Sequence, residues 1–300
     1  MEHAVIAIDK PPASFDELRP LGARARELIL RSVHKAGAGH VGGPLSATDL
    51  LISLYFAELR IDPARPDWPD RDRFILSKGH SSIGLYSVMA MRGYFPIEEL
   101  ETFDQINSRL QGHPDMTKLP GLDMSTGSLG QGLSPGIGMA LGARLSGKDF
   151  CTWVMLGDGE IQEGQIWEAA FTASRFGLEN LVAIVDYNRL PQFGWPQGGE
   201  PGNYSRTNPI DDPAAKFRAF GWRTVECNGH DYAEIQDAFA VAKETGNGPC
   251  CIVAHTIKGK GVSFMEGDHL WHAKAPEQSH LDDAMKELFP NRDVESGARS

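Results

Sequence analysis

The chain has 300 residues, 41% of them apolar, which is room for one large α/β domain or two small ones, each with a full core. Its formal net charge of −11 and the lack of a basic tract exclude a nucleic-acid partner and an anionic membrane surface, both of which are held through clustered Lys and Arg. Its apolar stretches fall well short of the roughly 18 to 20 residues of a membrane helix, and the N-terminus has no charged-then-apolar leader, so the cytoplasm is the expected compartment.

Residues 1–15 are aperiodic and contain proline, and read as an N-terminal arm. Asp16 to Lys35 has the apolar spacing of an amphipathic helix. The glycine-rich stretch Ala36 to Pro44, carrying His40, interrupts it, and Ser46-Ala-Thr-Asp49 then opens a strongly apolar helix through Leu59. Pro63 to Asp72 is expected as a charged surface connection. Arg73 to Leu76 is a short buried strand running into Ser77-Lys78-Gly79-His80-Ser81. A similar glycine and histidine loop, Gln111-Gly112-His113-Pro114-Asp115, precedes Ser125 to Gly132 and the helix Ser134 to Leu145. The apolar run Cys151 to Leu156 ends in Gly157-Asp158-Gly159-Glu160, with a helix starting near Gly164. Leu181 to Val185 is the next strand, with Asp186-Tyr187-Asn188 as its exit loop.

Further strands are expected at Trp222 to Cys227 and Cys250 to His255, separated by a helix from Tyr232 to Thr245. After Lys258 comes a loop with His269 and His272 that folds back over the site, then an amphipathic helix beyond Glu277 through Leu288. Residues 291–300 read as a frayed tail. Strands alternating with helices predict a doubly wound parallel sheet with helices on both faces, formed by one α/β domain over residues 16–290. The four cysteines, Cys151, Cys227, Cys250 and Cys251, lack a Cys-x-x-Cys spacing and read as free thiols rather than a zinc or disulfide framework.

Parallel strands carry their ligand sites at their carboxyl ends, where successive βα loops converge. Asp158 and Asn188 stand thirty positions apart, the length of a strand end, a helix and the next strand end. They offer a carboxylate and an amide oxygen, suited to Mg²⁺, which takes oxygen ligands and keeps positions for water and phosphate. Gly157 and Gly159 let the main chain approach phosphate oxygens, and the helix from Gly164 offers free N–H groups. A tight turn after a strand is the plainer alternative for the tripeptide alone. His40, His80, His113 and His272 all lie in Gly or Pro loops and would suit a polyhydroxylated substrate as donors, acceptors and proton carriers, whereas His34, on a helix, is left as structural. No His-x-x-x-His pair points to zinc, and no Gly-x-Gly-x-x-Gly follows an early strand, which speaks against NAD.

From about Arg19 to Pro276 the chain resembles the N-terminal, diphosphate-binding portion of transketolases. The resemblance is carried, in order, by Ala38-Gly-His40 to Pro44, Ser77-Lys-Gly-His80, Gly112-His113-Pro114, Thr126-Gly127-Ser128-Leu129-Gly130-Gln131-Gly132 and Gly157-Asp158-Gly159-Glu160-Ile-Gln-Glu163-Gly164. Gln165-Ile-Trp167-Glu168-Ala-Ala170 is similar to the form found where this half is a separate polypeptide. The resemblance implies thiamine diphosphate and Mg²⁺ as cofactors. It implies Asp158, Asn188 and the Leu190 carbonyl as metal ligands, and Gly157, Gly159, Glu160, His80 and His272 around the diphosphate. Gly127, Ser128 and Leu129 would lie along the aminopyrimidine, while His40 and His113 would point at the sugar and, with His80 and His272, form the catalytic set. His269 is a further candidate.

The implied reaction is transfer of a two-carbon ketol unit from a ketose or ketose phosphate to an aldose, the cofactor supplying the chemistry. A second, C-terminal subunit would bring the pyrimidine-binding domain and its glutamate, as an obligate partner in an α2β2 assembly. The segment Asn188-Arg-Leu-Pro191-Gln-Phe-Gly194-Trp-Pro196 departs from the polar, Asp-Gly-containing form usual after the asparagine, which puts substrate choice in question. The rival readings are a deoxyxylulose-phosphate synthase, the α chain of a 2-oxo-acid dehydrogenase and a cofactor-binding protein without catalysis.

Overall fold

Four short apolar runs and one more polar edge strand come together in the centre of the molecule. The computed structural model describes residues 17–192, 195–196, 204–205, 212–246 and 248–291, so the expected arm and nearly all of the expected tail lie outside the described residues. β1 (Arg73–Leu76), β2 (Thr152–Gly157), β3 (Leu181–Tyr187), β6 (Arg223–Asn228) and β7 (Cys250–His255) form one parallel sheet in the order β1-β2-β3-β7-β6. A two-residue hairpin of β4 (Trp195–Pro196) and β5 (Tyr204–Ser205) stands apart from it. Gly157 pairs with Asp186, and Tyr187 with His255, so the carboxyl ends of the central strands form one edge.

Alternate side chains of each strand enter two cores, as the period of two in a strand demands. Trp153, Met155, Val182, Ile184 and Ile252 pack with α1 (Leu18–Ala36), α2 (Gly42–Ser53), α3 (Ser82–Arg92), α7 (Tyr232–Ala242) and α8 (Gln278–Leu288). Val154, Leu156, Ala183, Val185 and Val253 pack with α4 (Leu133–Leu145), α5 (Gly164–Arg175) and α6 (Pro213–Ala219). The expected doubly wound architecture is therefore present.

Several boundaries move for identifiable reasons. α2 begins at Gly42, four residues before the expected Ser46, because Pro44 falls in its first turn, where a missing N–H costs nothing. Its end widens into a π-helical turn, Leu54–Glu58. The helix expected to Thr245 stops at Ala242. β3 continues through Asp186 and Tyr187, which are strand rather than exit loop, since the Asp186 carboxylate is buried among donors instead of facing solvent. At the end of the expected surface connection Arg71 and Asp72 are buried, Arg71 against Asp123 at 2.7 Å and Asp72 as acceptor for the Arg60 and Cys151 amides. α3 and α6 were not expected as elements: the first is apolar on every face, and the second is seven residues capped by Asp212 and opened by Pro213. All four cysteines are free, three of them buried.

Candidate active site

A cavity of about 250 Å³ opens at the carboxyl edge of the sheet. The ends of β1, β2 and β3, the loop after β7, the start of α2 and the loop before α4 all contribute to its wall, through Lys78, His80, Gly157, Asp158, Asn188, Lys258, Gly43 and Gly127 among others. Close approach of main chains is what requires glycine here. A Cβ on Gly79 would lie 2.7 Å from the Gly127 nitrogen. Gly127 itself has φ 150°, and a Cβ there would come within 2.9 Å of the His113 ring.

Glu160 ties three of these loops together. Its buried carboxylate accepts from Gly157 N and Gly130 N, both at 2.9 Å, and from the Ser77 hydroxyl. It is thus committed to holding the loops that face the cavity, and burial raises its pKa.

Asp158 is 3% exposed and accepts from its neighbour Gly159 N at 2.8 Å and from Arg189 N. Burial, with the nearby Asp186 carboxylate, pushes its pKa up to about 6. Arg189 takes φ 62° to make that contact. Asn188 is held at both ends of its amide: Oδ1 accepts from Leu190 N at 3.1 Å and Nδ2 faces Asp186 Oδ2 at 3.5 Å. The Leu190 carbonyl accepts from Lys258 Nζ at 2.8 Å, so a cation of the protein's own already lies on an oxygen expected to bind metal. Asp158, Asn188 and Leu190 all line the same cavity. A carboxylate, an amide and a carbonyl are hard oxygen donors that fit Mg²⁺. Among the described residues no group of three His, Cys, Asp or Glu side chains could hold a metal, so the arrangement is unlike a zinc centre.

The four histidines come together from four separate loops. His40 lies with its ring centroid 5.1 Å from His80, 6.4 Å from His113 and 5.1 Å from His272, and His80 is 5.4 Å from His272. Burial, reinforced by the Lys78 ammonium and by His272, His40 and Lys258, lowers the His80 pKa to about 2. Burial and then Lys258 lower His272 to about 3, and burial followed by His113 lowers His40. These rings are neutral near pH 7, able to donate from one nitrogen and accept at the other. Ser128 is exposed and, like His269, does not line the cavity, whereas Gly127 and Leu129 do.

Lys258, Lys78 and Asp186 were not singled out as site residues. Lys258 is 3% exposed, and its ammonium also lies 2.8 Å from His272 Nδ1. Burial lowers its pKa to about 8. Lys78 pairs with the fully buried Asp186, which also accepts from Ser46 Oγ at 2.6 Å and from Thr256 Oγ1. Burial opposes ionisation of Asp186, yet Lys78 and the hydroxyls hold its pKa below the ordinary value. The available signal is a lysine shortly after a strand end, as at Ser77-Lys78-Gly79 and Thr256-Ile257-Lys258, where positive charge would meet an anionic ligand. Pro191 also lines the cavity, 3.3 Å from where a Gly159 Cβ would be; Phe193 and Gly194 of its atypical segment lie outside the described residues. A larger cavity, about 530 Å³, lies between α1, residues 97–101 and α8. Its Arg24, Arg31 and Lys35 are already paired with Glu27 and Glu101, and it has no comparable convergence of charge.

Residues 21–291 match the family described as transketolase, thiamine diphosphate binding domain. The 6-deoxy-6-sulfo-D-fructose transketolase subunit SqwG of Clostridium sp. (strain MSTE9) is 45% identical over 242 residues, 81% of this chain and 85% of that protein. One of the subunits of the apulose-4-phosphate transketolase of Phocaeicola vulgatus is 38% identical over 88% of this chain and 90% of its own length. The crystal structure of transketolase from Campylobacter jejuni superposes with a TM-score of 0.83 at 31% identity, covering 93% of this chain and 44% of that one. The chain thus spans less than half of that solved structure and most of the two subunits.

Proposed function

The chain belongs to the transketolase family, and from that premise we propose that it is the cofactor-binding subunit of a two-subunit transketolase that moves a two-carbon ketol unit from a ketose to an aldose. The observation that carries this reading is the convergence of four histidine rings, neighbouring centroids 5.1 to 6.4 Å apart, in the cavity that Asp158, Asn188 and Leu190 also line. Thiamine diphosphate, when bound, supplies the nucleophilic carbon that takes up and hands on the ketol unit.

The chain's own part is placement and proton handling. Asp158, Asn188 and the Leu190 carbonyl hold Mg²⁺ in this reading. Lys258, His272, His80 and the Gly157–Gly159 turn receive the diphosphate. Gly127 and Leu129 line the path of the pyrimidine, with Ser128 beside them. His40 and His113 meet the sugar hydroxyls and move protons at the carbonyl and hydroxyl oxygens.

The partner is a C-terminal subunit carrying the pyrimidine-binding domain and a glutamate, in an α2β2 assembly. The naming of the relatives matched over most of their length as subunits supports it. Those two kinds of subunit, by name, act on a sulfonated ketose and a ketose phosphate, which favours a ketose with an anionic group at its far end as donor. Four free cysteines accord with a reducing, cytoplasmic compartment. The test is a transfer assay on this chain with its co-purifying partner, offering anionic ketoses and, separately, pyruvate. Ketol transfer to an aldose with no turnover of pyruvate is expected. Turnover of pyruvate, or binding of cofactor without transfer to any aldose, contradicts it. Exchange of residues 191–196 for an Asp-Gly segment is expected to shift the preferred sugar, and unchanged preference would remove Pro191 from the account of specificity.

A further inference from the structure

His230 lies in the turn between β6 and α7, outside the cavity, and has no part in the roles given above. Its Nδ1 is 2.8 Å from Asp49 Oδ2 and its Nε2 is 2.9 Å from the Ile257 amide. A main-chain N–H only donates, so Nε2 must accept, which places the ring proton on Nδ1, directed at the carboxylate. Asp49 is buried and accepts from Arg26 at 3.0 and 2.6 Å and from the Tyr232 hydroxyl at 2.7 Å. Burial works against its charge, but Arg26 and His230 outweigh that and hold its pKa well below the carboxylate range.

Arg26 reaches further: its Nε donates to the Lys260 carbonyl at 2.9 Å. The strap that carries Lys258 is therefore gripped on both sides, at the Ile257 amide by His230 and at the Lys260 carbonyl by Arg26, and both grips return to one carboxylate. Between them Gly259 N donates to Gly42 O at 3.0 Å. Gly259 has φ 79°, and a Cβ on it would meet the Met265 carbonyl oxygen at 2.3 Å, so the strap has little freedom of its own. Without the ring nitrogen the half-buried Ile257 N–H would lose its acceptor, and a donor shielded from water without an acceptor is costly.

We infer that Asp49, His230 and Arg26 form a positioning device that sets where Lys258 presents its ammonium to the cofactor's diphosphate. The inference rests on reading the Lys258 side of the cavity as the diphosphate end. Residues one step removed from a binding group commonly change affinity by about 10- to 100-fold.

The test compares the full chain with two variants. His230→Phe keeps the ring and removes both nitrogens, and His230→Gln offers an amide oxygen near the Nε2 position. Hydrogen exchange at the Ile257 amide is measured without ligand, and calorimetry gives the affinity for thiamine diphosphate in excess Mg²⁺. His230→Phe is expected to lose most of the Ile257 protection and about tenfold in affinity, with amides of α1 and α2 still protected, and His230→Gln to recover most of both. Ile257 protection and affinity within twofold of the parent in His230→Phe would overturn the inference. So would equal loss in both variants with α1 and α2 deprotected, which marks plain destabilisation. Absence of cofactor binding in the parent chain would instead overturn the functional reading, and Ile257 exchange alone then decides whether His230 holds the strap.

Discussion

The floor and the rim of the cavity are built on opposite principles. In the floor every charge has a fixed partner: Lys78 and two hydroxyls on Asp186, two amides on Asp158, a carbonyl and a ring nitrogen on Lys258. In the rim His40 and His113 face one another with ring centroids 6.4 Å apart, and their ring nitrogens make no hydrogen bond to a described residue. The floor is preorganised without a ligand, which suits a cofactor that stays, while the rim keeps donors and acceptors in reserve for a substrate that comes and goes. The comparison implies that floor substitutions cost stability or cofactor affinity, and that rim substitutions cost turnover.

The largest effect is expected at Asp186. Asp186→Ala leaves the Lys78 ammonium buried without its counter-charge and is expected to destabilise the fold by about 3–5 kcal/mol, read by denaturant unfolding; an unchanged midpoint would deny that the floor is a fixed charge network. His113→Ala, at the exposed side of the rim, is expected to lower kcat/KM by roughly a hundredfold while the melting temperature stays put. A fall in melting temperature with turnover retained would reverse the assignment of floor and rim. Lys258→Met preserves much of the buried stem and is expected to weaken thiamine diphosphate binding by about tenfold or more, measured by calorimetry.

The smallest effect is a pH dependence. The folded His80 pKa, about 2, is below that of an unfolded histidine, roughly 6.5. Between those values the unfolded chain binds a proton that the folded chain does not, so stability is intact above about pH 6.5 and falls as the pH is lowered through that window. His80→Gln should flatten the decline of melting temperature between pH 6.5 and 5. A decline of the same slope in the variant would show that His80 is not its source.

Much of the fold was legible because the strands are short apolar runs with turn residues at their ends. Arg73 to Leu76 and Cys250 to His255 agree with the structure to the residue. α3 carries no such signal, because Ser82 to Met91 is buried on all sides and so lacks the polar stripe that betrays an amphipathic helix. At the site, His80 and Asp158 stand out in sequence because a glycine loop at a strand end advertises a ligand, and His40 and His113 stand out because each is a histidine set in a Gly- and Pro-containing loop. The floor does not stand out. Asp186 reads as an ordinary loop aspartate until Ser46, Lys78 and Thr256 are brought to it from as far as 140 residues away, and the link from His230 to Ile257 crosses 27 positions. Long-range pairing of that kind has no local pattern.

The central claim is that Asp158 and its neighbours anchor Mg²⁺ and a diphosphate at this edge of the sheet. The most direct measurement is calorimetric titration of thiamine diphosphate into the parent chain and into Asp158→Ala, each with and without Mg²⁺. The account predicts Mg²⁺-dependent binding in the parent and a loss of more than about a hundredfold in the variant. Equal affinity in the two proteins, or binding indifferent to Mg²⁺, would contradict it.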